Sequence, residues 1–193
     1  MSESDARLPA LAIEAIGDAL ASGRRRLPAI DALPAELTMQ AATFVTLERE
    51  GELLGCVGTL EATRALGVDV AQNALAAAFD DPRVPSVGLG DFSLMAVKVS
   101  VLSPLRPLAA RSRAALVEEL RPGLDGILVE AGRHRATFLP AVWPKVCDAD
   151  DFVDELWRKA GLGPHAWPDG IRVFTYSTVD SIDEGPRDAP ITP

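Results

Sequence analysis

Apolar positions along the chain change period several times, and each change marks an element. Leu8, Leu11, Ala12, Ala15, Ile16, Ala19 and Leu20 recur at helical spacing and predict a helix over about 6–22. Gly23, followed by Arg24, Arg25 and Arg26, supplies a stop signal with cations near the negative helix end. Residues 27–34 carry two prolines and read as a connector. Residues 43–47 and 53–60 then alternate, with Glu50-Gly51 between them, and predict an antiparallel hairpin. Strict alternation places Leu54, Cys56 and Leu60 on one face and Val57, Thr59 and Glu61 on the other. Val68, Ala71, Leu75, Ala78 and Phe79 mark a helix over about 67–80, broken by Asp80-Asp81-Pro82-Arg83.

Residues 92–102 give the strongest strand signal, with Met95, Val97, Val99 and Val101 alternating against Leu94, Lys98 and Ser100. Gly88-Leu89-Gly90-Asp91 precedes that strand and reads as a turn. A short helix is expected within 109–120, then a second hairpin of 126–130 and 134–139 around Ala131-Gly132. Residues 148–161 form the clearest helix: Asp148 or Asp150 can cap it, Phe152, Val153, Leu156, Trp157 and Ala160 make the stripe, and Gly161 ends it. A last strand is expected at 171–177. Hairpins interspersed with helices, without strict strand–helix–strand alternation, indicate an α+β fold with mainly antiparallel sheet. The domain therefore runs over 1–176, and 177–193, rich in acids and prolines, reads as a flexible tail.

The chain has 193 residues, long enough for one sizeable core, and a formal net charge of −9. Such a surface repels a phosphate backbone and argues against nucleic-acid binding. The acidic start Met1-Ser2-Glu3-Ser4-Asp5 lacks the form of a signal peptide, and no apolar run reaches bilayer length. With only Cys56 and Cys147, a cytoplasmic protein with reduced thiols and no membrane association is expected.

No nucleotide-binding glycine loop, hydrolase elbow or zinc-protease helix is present, and His134 and His165 have no metal-ligand spacing to either cysteine. Neither a cofactor nor a metal is therefore expected. Cys147, beside Trp143 and ahead of a helix, reads as a packing residue. Cys56 sits in Gly55-Cys56-Val57-Gly58, where flanking glycines remove side-chain cover and let a ligand or another backbone approach. The thiol is then an accessible nucleophile, or else a packed core residue. Arg133, His134 and Arg135 could hold an anion or decorate a solvated turn. Arg135 and Thr137 share a strand face and better fit a pocket. Asp81 and Arg83 could pair locally or line a cleft.

The stretch Leu53-Leu54-Gly55-Cys56-Val57-Gly58-Thr59-Leu60-Glu61 resembles the LRGCIG signature of the AMMECR-domain family. Further similar stretches are Asn73-Ala74, Ala78-Phe79-Asp80-Asp81-Pro82-Arg83 and Val99-Ser100-Val101-Leu102-Ser103-Pro104. The second half adds Leu120-Arg121-Pro122-Gly123-Leu124-Asp125-Gly126, Arg135-Ala136-Thr137-Phe138-Leu139-Pro140 and Lys159-Ala160-Gly161-Leu162. They run in family order over about 40–176, and look most like the branch named AmmeMemoRadiSam system protein A. Where the signature has arginine, this chain has Leu54. The resemblance implies a larger and a smaller lobe around a cleft, with Memo-type (extradiol-dioxygenase-like) and radical-SAM proteins as partners. It supplies no reaction. Its stretches complete a candidate binding set of Gly55, Gly58, Asn73, Asp81, Arg83, Asp125, Arg135 and Thr137 around Cys56 as the candidate catalytic residue. Two expectations follow: a small-molecule enzyme or enzyme component using Cys56, or a non-catalytic binding module whose signature residues shape a partner surface.

Overall fold

The computed structural model describes residues 3–188 and has the α+β fold expected from the sequence. The chain divides into two compact units, one of Met1–Leu102 with Val179–Pro193 and one of Ser103–Thr178.

In the first unit, α1 (Glu3–Ser22) turns Leu8, Ala12, Ala15, Ile16 and Ala19 inward, as the spacing requires. Strands β1 (Gln40–Ala41), β2 (Thr43–Arg49), β3 (Glu52–Gly58) and β4 (Arg64–Ala65) follow, with the hairpin turning at Gly51, whose φ is +83°. Helix α2 (Leu66–Phe79) is apolar almost all round because α1 covers one side and β2 and β3 the other. After α2 come a single helical turn, α3 (Leu89–Phe92), and β5 (Ala96–Leu102). The 88–91 segment is thus not a simple turn before the strand: Asp91 accepts the Gly88 N–H at 3.0 Å and closes a helical turn that takes Phe92 out of the strand and into the core.

Beyond Thr178 the structure overturns the expected frayed tail. Thr178–Asp183 forms β10 and completes a four-stranded sheet in the order β10, β5, β2, β3, while residues 189–193 lie outside those described. Composition misled because Val179 and Ile182 face outward, so the segment contributes little to the core. What fixes it is polar. Arg187 donates to the carbonyls of Phe92 and Met95 at 2.8 and 2.6 Å and pairs with Asp183, and its own N–H reaches Ser93 O. Carbonyls left open at the end of α3 thereby gain donors.

The second unit contains β6 (Arg106–Leu108), α4 (Arg113–Glu119), β7 (Gly126–Ala131), β8 (His134–Phe138), α5 (Ala149–Ala160) and β9 (Arg172–Tyr176). Its sheet is antiparallel in the order β6, β9, β7, β8. Helix α5 begins where Asp148 accepts the Asp151 N–H and ends at left-handed Gly161, and it lays Phe152, Val153, Leu156 and Trp157 on the core. Among the described residues no helix is long and apolar enough to cross a membrane.

Candidate functional site

The first unit gathers Gly55, Cys56, Gly58, Asp81 and Arg83 at the outer strand of its sheet. Val45, Leu47, Val97 and Val99 point toward the helices and fill the core. The alternate positions, Thr46 on β2 with Cys56 opposite on β3 and Lys98 opposite on β5, point to the other face. Cys56 is half-buried there, and the Thr46 hydroxyl donates to its sulfur at 3.3 Å. The thiol is therefore not part of the apolar core.

β3 is the last strand of the sheet, so the backbone of Cys56 on the open side needs partners from elsewhere. Asp81 and Arg83, leaving α2, supply both. The Cys56 N–H donates to Asp81 Oδ2 at 2.9 Å, and Arg83 Nη2 donates to Cys56 O at 2.9 Å. The two side chains are themselves joined through Nε to Oδ1 at 2.9 Å and Nη2 to Oδ2 at 2.6 Å. The hydrogen bond from Arg83 is the chief reason the buried Asp81 carboxyl titrates far below the usual carboxylate range, against the opposing cost of burial. Arg83 is pushed above its ordinary value, chiefly by its hydrogen bond with Asp81.

A pH dependence follows. With its folded value lowered, Asp81 adds stability that is complete above the unfolded carboxylate value of about 4 and is lost as pH falls through the folded value. Asp81→Asn is expected to be less stable than the parent at neutral pH, and the gap should narrow below about pH 4. Urea unfolding across that range measures it; a gap independent of pH contradicts an ionised Asp81.

Of the two approaches the flanking glycines allow, Gly55 shows that of another backbone. A Cβ on Gly55 would lie 2.0 Å from the carbonyl oxygen of Ala77, so this glycine lets α2 approach the strand. A Cβ on Gly58 would lie 2.2 Å from the Phe44 ring, its cross-strand neighbour. Both spaces are filled by the protein itself, and neither glycine opens the strand to a ligand. Leu54 also departs from simple alternation. The register steps from Leu47–Gly55 to Glu48–Leu53, leaving Leu54 unpaired in a bulge and packed with the core rather than on the face of Cys56.

Asn73 belongs to a separate polar knot inside the first unit. Its amide donates to Thr43 O and to Asp69 Oδ2, both at 2.9 Å. Asp69, fully buried, also accepts from the Thr43 N–H, the Thr43 and Thr59 hydroxyls and Arg64. This carboxylate ties α2 to β2 and leaves the Asn73 amide hydrogens no spare capacity.

Asp125, Arg135 and Thr137 lie in the second unit. Asp125 is buried, accepts the Arg121 backbone N–H at 2.9 Å and its guanidinium at 2.6 Å, and its carbonyl takes the Trp143 indole N–H at 2.7 Å. It closes the loop between α4 and β7. Arg135 pairs with Glu130, which Arg172 also reaches. The Thr137 hydroxyl donates to Ile127 O at 2.7 Å and lies 2.5 Å from the Tyr176 hydroxyl, which donates to Phe138 O. His134 Nδ1 meets Ala160 O at 2.8 Å and so ties β8 to the end of α5. A surface groove of about 410 Å³ beside β6 and β9 contains none of the predicted residues.

Cys147 is exposed rather than covered by Trp143, because its helix starts two residues later and turns its stripe the other way. Asp151, and then Asp148, push its thiol upward, which disfavours the thiolate. Among the described residues no cluster of His, Cys, Asp and Glu is suited to a metal ion. Sequence reasoning missed Thr46 as a partner of Cys56, since the bulge at Leu54 sets the register and carries no turn residue to announce it.

Comparison with known proteins places the chain in a family. The AMMECR1 family model matches residues 9–180, and the chain belongs to that family. A protein of Methanothermobacter thermautotrophicus is 36% identical over 169 residues, covering 84% of this chain and 86% of the relative. One from Pyrococcus furiosus is 33% identical over 188 residues, covering 92% and 87%. The crystal structure of the uncharacterised protein PH0010 from Pyrococcus horikoshii aligns with a TM-score of 0.87 at 30% identity, over 99% of this chain and 98% of that one.

Proposed function

We infer that this AMMECR1-family protein is a small-molecule enzyme or enzyme component whose attacking group is the Cys56 thiol. The observation that carries the reading is the setting of Cys56. Its sulfur stands on the sheet face the core does not use and receives the Thr46 hydroxyl, while the Arg83 guanidinium lies against the carbonyl of the same residue. The backbone on both sides of that carbon is clamped by Asp81 and Arg83, which fixes where the sulfur points. The thiolate is the form of a cysteine that attacks electrophilic carbon. The protein acts beside Memo-type and radical-SAM proteins, a reading supported by the resemblance of its signature stretches. It works in the cytoplasm, where its two free thiols stay reduced. No cofactor is part of the reading.

A non-catalytic interaction module is the second reading, favoured by β3 being an edge strand with Leu53 39% exposed. One experiment separates the two. The protein is incubated with the small-molecule fraction of its parent cells, digested, and its cysteine peptides weighed. The enzyme reading expects an added mass on the Cys56 peptide, absent from the Cys147 peptide and from the Cys56→Ala variant. An unmodified Cys56, with partner proteins still retained by Cys56→Ala, supports the module.

A further inference from the structure

Thr46 pairs with Cys56 on one side and Lys98 on the other, so thiol, hydroxyl and ammonium stand in one row across three strands. Adjacent strands lie about 4.8 Å apart, which puts the Cα atoms of Cys56 and Lys98 roughly 10 Å apart, with only the short Thr46 between them. We propose that this row, with Arg83 at its open end, recognises a small anionic substrate, holding its carboxylate or phosphate between Lys98 and Arg83 beside the Cys56 sulfur. The proposal rests on Cys56 being the attacking group.

The charges support it. Lys98 is half-buried and has no ion-pair partner among the described residues. A partly desolvated cation without a counter-charge favours an anion brought by a ligand. Arg83 uses Nε and Nη2 on Asp81 and the Cys56 carbonyl, while its Nη1 carries no such bond, and its side chain is 54% exposed. None of the carboxylates near the row, Asp180 on neighbouring β10 included, forms an ion pair with Lys98. Asp81 is committed to Arg83, and Glu48, one pair along the same face opposite Ala96, makes no ion pair with Lys98. In a chain of net charge −9, two cations with donor capacity to spare at the two ends of one row are a local reversal of the surface field.

Cys147 provides an internal control, because the carboxylates of Asp151 and Asp148 beside it repel anions. Two reagents with the same leaving group read the difference. Iodoacetate is anionic and iodoacetamide neutral; with either, the thiolate forms a sulfur–carbon bond, the carbon–iodine bond breaks, and iodide leaves. Rates are followed peptide by peptide on the full chain. The iodoacetate-to-iodoacetamide rate ratio is expected to be about tenfold higher at Cys56 than at Cys147. That excess should fall severalfold in Lys98→Gln, with the Cys147 ratio unmoved, and should shrink as salt is raised on the unaltered protein. Equal ratios at the two cysteines, or an excess at Cys56 indifferent to both Lys98→Gln and salt, overturn the anionic-substrate proposal while leaving the nucleophile reading standing. A Cys56 that neither reagent modifies, while Cys147 reacts, overturns the nucleophile reading and the proposal together.

Discussion

Gly55→Ala is expected to destabilise the protein by roughly 3 kcal/mol, the upper part of the range for overpacking a well-filled interior. The added methyl would sit 2.0 Å from the Ala77 carbonyl oxygen and 2.8 Å from its carbon. That obstacle is helix backbone, so no rotamer change relieves it. Either α2 withdraws from β3, opening space among Val70, Ala74 and Ala77, or the strand moves and breaks the bonds that Asp81 and Arg83 make to Cys56. Gly58→Ala provides the contrast. Its methyl meets the Phe44 ring, which can yield only by a change of χ1, whereas the Gly55 methyl meets helix backbone, so its loss should be smaller. Thermal unfolding compares the two: Gly55→Ala should lower the midpoint by on the order of 10 °C. A midpoint within about 2 °C of the parent would contradict the close helix–strand approach described above.

The same pair of glycines shows what the sequence could and could not disclose. A glycine pair in a strand announces close approach, and that much was legible. What approaches was not, because it depends on the tertiary placement of Ala77 and Phe44. Local signals were otherwise reliable where one segment determines its own structure. The helix of α5, with Asp148 at one end and Gly161 at the other, lies within a residue of its expected bounds, and both hairpins turn at Gly51 and Gly132. Failures occur where a distant partner decides. The segment after Thr178 looks too polar to fold, yet the open carbonyls of Phe92, Ser93 and Met95 hold it through Arg187. Likewise, Asp91 draws Phe92 into a helical turn that alternation alone assigns to a strand.

The candidate site divides along the same line. Cys56, Asp81 and Arg83 come together because α2 returns its exit loop to the edge of β3, a tertiary placement that none of their motifs announces alone. Asn73 and Asp125 are buried polar residues bonded to the protein itself, an arrangement that sequence does not distinguish from ligand binding. Lys98 stands near Cys56 only through the regular β2–β5 register, which places it opposite Thr46.

The most direct test of a chemical role for Cys56 is Cys56→Ser in cells lacking their own copy. The substitution is nearly isosteric, keeps a group able to meet Thr46, and disturbs neither Gly55 nor the backbone bonds to Asp81 and Arg83. The variant should therefore fold, accumulate normally and unfold at close to the parental temperature. Its hydroxyl has a far higher pKa than a thiol, so it cannot supply the attacking anion. The readout is the set of metabolites whose levels change when the gene is deleted. The account predicts that the unaltered gene restores them and that Cys56→Ser leaves them as in the deletion strain, despite a folded and abundant protein. Full restoration by Cys56→Ser would contradict a nucleophilic Cys56 and leave the residue a structural part of the sheet edge.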